Sequence, residues 1–425
     1  MNTSMRYSRA ARGTTIGCAL AVAVLAGDAF ADWESTPDLR MEIEANDNPR
    51  LGQSSRRLDE GLEDHTATRM LLDARVRLRN VGQRGQFVVQ PRVRLDAYAD
   101  AVDDDLERRD AYLSMRGTYS WQRANAGINV NAARESIISA ELGDPGLVDP
   151  EDPIDDPIDN DTGLLFGLDE FRKRMNIAPY AEVTLSERSA LLLEARLLDV
   201  SYTGPQVTGR SDFSDSELAV GVGRSIDSRT DAAARLVVSR FEADLTGNET
   251  DTVGLEGSFT RQLNELWTFD LTAGLQRSEF SFLDDGDELV DNASTNFTVT
   301  LEFQKRTELS TLDLGLYRLL DPNAVGFLVE RNELRVRFAR QLSERMRVGF
   351  GFSAVDMGAL ERENVRDRQY LRADVDIEWA FTRQWSFTAR VGAVDQEFSG
   401  QQLDGTANVL SVGAVFRGLS RTATP

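Results

Sequence analysis

Cysteine, histidine and lysine are nearly missing from this 425-residue chain, which holds one cysteine (Cys18), one histidine (His65) and two lysines (Lys173 and Lys305). A single cysteine excludes a disulfide framework. One histidine cannot build a typical zinc site. It also cannot supply the serine–histidine pair of an outer-membrane phospholipase or the paired groups of a barrel-rim protease. His65, between Asp64 and Thr66, reads as a solvated loop residue, and the chain reads as a protein that is not an enzyme. No segment beyond the N-terminus is apolar enough for a transmembrane helix. A formal net charge of −22 argues against nucleic acid as a partner, because polyanions would be repelled.

The N-terminus carries its own signal. Arg6, Arg9 and Arg12 make a basic region, Thr14–Gly27 is a short apolar run, and Ala29-Phe30-Ala31 follows. This is the pattern of a secretory signal peptide over residues 1–31, leaving one mature domain over 32–425. Cys18 falls inside the signal. Arg12 lies too close upstream of it for the apolar run of a lipoprotein signal.

A short turn recurs at a spacing of roughly 39 residues. It reads Ser186-Glu187-Arg188, Asp227-Ser228-Arg229, Asn264-Glu265-Leu266, Lys305-Arg306-Thr307, Ser343-Glu344-Arg345 and Thr382-Arg383-Gln384. Long stretches alternating apolar and polar residues flank each turn, and longer acidic linkers separate the pairs. Leu371, Ala373, Val375, Ile377, Trp379 and Phe381, for example, alternate with Arg372, Asp374, Asp376 and Glu378. A soluble propeller needs four short strands per repeat; these repeats hold two long ones. The pattern predicts an all-β transmembrane antiparallel up-and-down barrel in the bacterial outer membrane, with short periplasmic turns and long acidic extracellular loops. Further turns near Gly82–Gly85 and Arg123–Asn125, with end strands Leu39–Ala45 and Asn408–Phe416, bring the count to about 18, with 16 the alternative. Pro91 suggests a bulge or a strand end. Trp121, Trp267, Trp379 and Trp385 all lie beside short turns, as an aromatic girdle requires.

A barrel of this size has a lumen too wide for side chains to fill. Predicted pore-lining residues are Arg75, Arg77, Arg92, Arg94, Arg116, Arg134, Arg196, Arg235, Arg335, Arg337, Arg372 and Arg390. Asp73, Asp96, Glu182, Glu194, Asp374, Asp376 and Glu378 would neutralise parts of that wall. As a group the arginines would bias passage toward anionic solutes or polymers. The third extracellular loop, Ile138–Arg172, carries the Asp-Pro-rich run Asp144–Thr162 and an apolar knot at Leu164-Leu165-Phe166. It is expected to fold inward and narrow the pore, with Glu141, Asp144, Asp149, Asp152, Asp156 and Asp159 as constriction candidates. No cofactor is expected. Clustered carboxylates in this run could hold Ca2+, although the spacing and turn glycine of an EF-hand are missing.

Three short features carry a resemblance: Glu44-Ala45-Asn46-Asp47-Asn48-Pro49, Arg134-Glu135-Ser136 leading to Ala140-Glu141-Leu142-Gly143-Asp144, and the Leu-Ser-Glu-Arg turn at Leu185–Arg188 and Leu342–Arg345. In these the chain resembles the porin-like outer-membrane barrels often encoded with exopolysaccharide biosynthesis genes. The Asp-Pro insertion in the third loop departs from that family. The resemblance implies a barrel and a role in exopolysaccharide export, with periplasmic polysaccharide-export proteins as partners. Outer-membrane lipid, lipopolysaccharide and the barrel-assembly machinery are the partners that any such barrel meets. Ser411–Phe416 resembles the assembly signal, although the chain runs on to Pro425. The functional expectation is a channel for exopolysaccharide or anionic solutes; the alternatives are a general porin, or a non-conducting surface barrel displaying acidic loops.

Overall fold

A strand with lipid on one side and water on the other can be apolar only at every second position. This chain sustains that alternation through eighteen long strands. The computed structural model describes residues 33–49, 66–99, 107–137, 170–204, 210–283, 289–359, 367–398, 405–419 and 421–423. Its first strands are β1 (Trp33–Asn46), β2 (Ala67–Val81), β3 (Gly85–Tyr98), β4 (Arg109–Ser120), β5 (Ala124–Ser136) and β6 (Phe171–Ser186). There follow β7 (Ser189–Thr203), β8 (Phe213–Asp227), β9 (Thr230–Ala243), β10 (Asn248–Gln262), β11 (Trp267–Leu283) and β12 (Leu289–Arg306). The ring is completed by β13 (Ser310–Pro322), β14 (Leu328–Ser343), β15 (Met346–Ala359), β16 (Arg368–Ala380), β17 (Trp385–Phe398) and β18 (Gly405–Arg417), with a short β19 (Arg421–Ala423).

Each strand pairs antiparallel with its chain neighbours, and β1 closes the ring by pairing with β18 from Asp38↔Arg417 to Asn46↔Val409. β19 continues the line of β18 against Trp33–Ser35. The barrel fold is thus as expected, with eighteen strands, not sixteen. Both end strands are longer than their apolar patterns indicated. β6 begins at Phe171, so Arg172 belongs to the wall and not to the third loop. At Pro91 the β2–β3 ladder is interrupted but resumes at Leu78↔Val89 in the same register, so the missing donor opens a gap without inserting a residue.

The recurring turn residues act through their side chains. The Asn264 carboxamide oxygen accepts from the backbone N–H groups of Leu266 (2.9 Å) and Trp267 (3.1 Å). Asp227 accepts from Arg229 at 2.8 Å, and the Thr382 hydroxyl from Trp385 at 2.9 Å. Ser186 and Ser343 accept likewise from Arg188 and Arg345. Short polar side chains that imitate the backbone are what a tight hairpin asks for.

The outer face is apolar where lipid must be met: Leu255, Leu275 and Val391 are each at least 60% exposed, which water would penalise. On β11 the outward residues run apolar from Trp267 to Leu275 before Arg277 and Glu279. About nine residues at ~3.3 Å each, tilted ~40°, give a belt of roughly 20–25 Å, the height of an outer-membrane hydrocarbon band. All five tryptophans, Trp33 included, lie at the short-turn end. They pack with other rings there: Trp385 on Phe416 at 5.1 Å, Tyr119 on Trp121 at 4.6 Å and Trp33 on Phe87 at 6.2 Å.

Candidate functional site

Register fixes the lumen face without ambiguity, because side chains alternate and paired residues share a face. From Asp38↔Arg75 the face passes through Arg75↔Arg92 and Arg94↔Asp110, and on around the ring to Asp376↔Arg390 and Ser411↔Glu44. Of the predicted pore-lining residues, Arg75, Arg77, Arg92, Arg94, Arg116, Arg196, Arg235, Arg335, Arg337, Arg372 and Arg390 all fall on it. Arg134 does not. It pairs with Ala111 and Lys173 on the outer face, and its guanidinium lies 3.8 Å over the Phe171 ring. Ile128 and Val130 against Asn129 and Asn131 put the even positions of β5 outward, and the charge at Arg134, beyond those apolar residues, does not report the lumen face.

The arginines are held by carboxylates on the same wall. Asp73 clamps Arg92 with contacts of 2.9 and 2.5 Å, Asp38 holds Arg75 at 2.9 Å, and Asp215 holds Arg196 at 2.7 Å. Arg235 bridges Glu194 (2.7 Å) and Glu256 (2.9 Å), and Glu333 binds Arg335 at 2.5 Å. Toward the extracellular mouth the pairs become buried. Arg69 lies between Glu44 (2.8 Å) and Asp96 (2.6 Å), with Arg94 and Arg108 also on Asp96. Glu135 takes Arg172 at 2.7 Å and Glu170 takes Arg210 at 2.6 Å. Arg116, Arg337 and Arg390 differ: none forms an ion pair among the described residues, and Arg116 donates to the neutral Asn129 amide at 3.0 Å. The sequence reading missed Arg69, Arg172 and Arg210; their carboxylate partners lie on other strands or loops, so linear spacing does not reveal them.

One arc of the lumen has no basic residue above its periplasmic rim, where Arg306 ends β12. β10, β11 and β12 present Thr250, Thr252, Ser258, Thr272, Gln276, Ser278, Thr298 and Thr300 inward. Their carboxylates are engaged locally: Asp270 by Thr260 (2.7 Å), Glu302 by Tyr317 (2.7 Å), and Glu256 by Arg235.

The mouth is narrowed by the seventh extracellular connection, 323–327. Asn323 organises it, its side-chain oxygen accepting from the N–H groups of Val325 (3.1 Å) and Phe327 (2.9 Å). The loop then docks away from its own strands: Ser211 donates to the Ala324 carbonyl at 2.7 Å, and Thr246 and Asn248 donate to the Gly326 carbonyl at 3.2 and 3.0 Å. β13–β14 and β8–β10 are not neighbours in the ring, so these contacts carry the loop, with the upper ends of its strands, over part of the lumen. Ala324 enters a buried apolar cluster with Ile137, Leu198, Val200, Tyr202, Phe213, Phe241 and Ala243 on the inner wall. Gly326 is required: its φ is +89°, and a Cβ there would stand 2.9 Å from Ala243, Ser211 and Thr246. Asp321, at the end of β13, lies within electrostatic reach of Arg196 on β7. One signal for this loop was available, because Ala324-Val325-Gly326-Phe327 is apolar and uncharged where most of the other extracellular linkers are acidic.

Glu141, Asp144, Asp149, Asp152, Asp156 and Asp159 lie outside the described residues, as do His65, Cys18, the signal segment and the acidic run considered for Ca2+.

No protein-family model matches the chain, and no curated protein matches it. Among solved structures it is similar to OpdK of Pseudomonas aeruginosa, solved with vanillate, at TM-score 0.42 and 12% identity over 92% of this chain and 100% of that one. A BenF-like porin from Pseudomonas fluorescens gives TM-score 0.45 and 10% identity over 91% and 99%. The ferric-catecholate import receptor Fiu of E. coli gives 0.41 and 9% over 89% and 81%. Similarity at this level leaves the assignment to the chain's own geometry. A closed antiparallel ring, an apolar outer belt, tryptophans at one edge and a charged inner wall make the chain an eighteen-stranded outer-membrane β-barrel.

Proposed function

We propose that the barrel is a channel for small anionic solutes, with the arginine wall of β2–β4 as the lane they follow. The observation that carries this reading is the single lumen face shared by Arg75, Arg77, Arg92, Arg94 and Arg116 on three adjacent strands. Along that wall the fixed carboxylates of Asp96 near the mouth, Asp73 at mid-wall and Asp38 toward the periplasm offset the arginines they hold. At Arg116, nearer the periplasm, the partner is an amide, so the positive charge is left for a passing anion. The docked seventh loop favours a small solute over a polymer. Exopolysaccharide export is supported by the sequence resemblance alone and stands as the second reading.

Planar-bilayer recording of the refolded chain tests the proposal. The expected result is a stable conductance favouring anions. Removing Arg116 as R116Q should lower the anion-to-cation permeability ratio up to about fivefold, from ~1 kcal/mol of Coulomb energy per contact charge in water. A silent barrel, or one favouring cations, would sink the reading.

A further inference from the structure

The outward face at the periplasmic edge divides into two arcs. From β16 through β18 and β1 to β4 the edge is aromatic: Trp379, Phe387, Trp385, Phe416, Trp33, Phe87 and Tyr119. From β8 to β14 it is cationic. The strands β8, β10, β12 and β14 each carry an outward basic residue within three positions of their periplasmic end, respectively Arg224, Arg261, Lys305 and Arg340. Each stands one outward position below an apolar residue, namely Val222, Phe259, Phe303 and Phe338, and on β8 and β14 one more exposed apolar residue, Ile226 and Leu342, follows at the bulged strand end. That step is about 5 Å along the barrel axis, which puts the charges at headgroup level.

None of the four forms an ion pair among the described residues. Their register neighbours are Ser189, Ala232, Thr230, Phe269, Trp267, Leu312, Ser310 and Val348, without a carboxylate. Asp227, in the adjacent turn, is the acid within electrostatic reach of Arg261. Glu265, Glu308 and Glu344 sit in the turn tips below. Lys305 lies 5.2 Å over the Trp267 ring, which keeps its ammonium at the interface. The opposite edge of the same arc differs, since its outward cations are matched. There Arg240 meets Glu242 (2.6 Å) and Glu249 (3.0 Å), Arg277 meets Glu279 (3.3 Å), and Arg318 meets Glu330 (2.8 Å).

We propose that the β8–β14 arc of the periplasmic rim binds the phosphates of anionic glycerophospholipids in the inner leaflet. Long basic side chains bury their stems along apolar surface and place their charges among headgroups. On alternate strands they stand roughly 10–13 Å apart around the rim, so each meets the phosphate of a separate lipid. The proposal does not depend on the channel reading.

The test is native mass spectrometry of the full refolded chain, released from vesicles of phosphatidylethanolamine and phosphatidylglycerol. The wild-type barrel should retain phosphatidylglycerol above its share in the vesicle. R224Q/R261Q/K305Q/R340Q should cut that enrichment at least threefold, and R224K/R261K/R340K should keep it. R240Q/R277Q/R318Q, at the other edge, should leave it unchanged. Heat-modifiable gel mobility reports folding, and the pairs R224Q/R261Q and K305Q/R340Q serve if the fourfold variant does not fold. Equal retention by wild type and glutamine variants would overturn the proposal. So would loss on changing the extracellular edge, or preferential capture of added lipopolysaccharide through the same four residues.

Discussion

The lumen walls of β1–β6 and β10–β12 solve one problem in opposite ways. Both must be polar, closed and wetted, yet the first uses arginine–carboxylate pairs and the second uses hydroxyls and amides. In the first, Arg69 is 8% exposed and held by two acids from neighbouring strands. In the second, Thr252 and Ser278 share one hydrogen bond of 2.9 Å. A charged wall carries a field but depends on every partner; a hydroxyl wall carries little field and tolerates loss.

That contrast can be broken experimentally. The largest effect is expected at Arg69→Leu, which takes from buried Glu44 its cation and from Asp96 the shortest of its three arginine contacts, at a cost of about 3–5 kcal/mol. Urea unfolding followed by tryptophan fluorescence measures it, and a loss below about 1 kcal/mol would mean that the pairs are dispensable. Gly326→Val comes next. The new side chain meets three atoms in a left-handed backbone, a strain of about 1–3 kcal/mol that the loop relieves by leaving its seat. Single-channel conductance should rise, and an unchanged value would show that 323–327 does not bound the mouth. Smallest is Thr252→Val in the hydroxyl arc, where one lost hydrogen bond costs about 1 kcal/mol and ion preference should stay as it was.

Much of the barrel was legible in the sequence because alternation is a one-dimensional signal. Strands such as β16, with Leu371, Val375 and Ile377 set against Arg372, Asp374 and Glu378, announce both faces at once. Arg134 fell on the wrong face because charge marks the lumen only within the apolar belt, and past Ile128 and Val130 an outward even position of β5 can be charged. The docked loop was harder still. Its contacts join Gly326 to Thr246 and Asn248, about eighty positions apart, and nothing local marks them. The arginines were legible as residues but their partners were not, since pairing crosses strands.

Because β18 returns antiparallel to β1, the wall keeps that seam, and both chain ends on one side, only when it changes by whole hairpins. Loss or duplication of one strand would bring the seam together parallel, with the slightly weaker pairing of a parallel ladder, and would move one chain end to the other side of the membrane. The heritable unit of this architecture is therefore the repeat of roughly 39 residues, gained or lost entire. Each such event would shift the barrel radius by about 2 Å while every remaining side chain keeps its face.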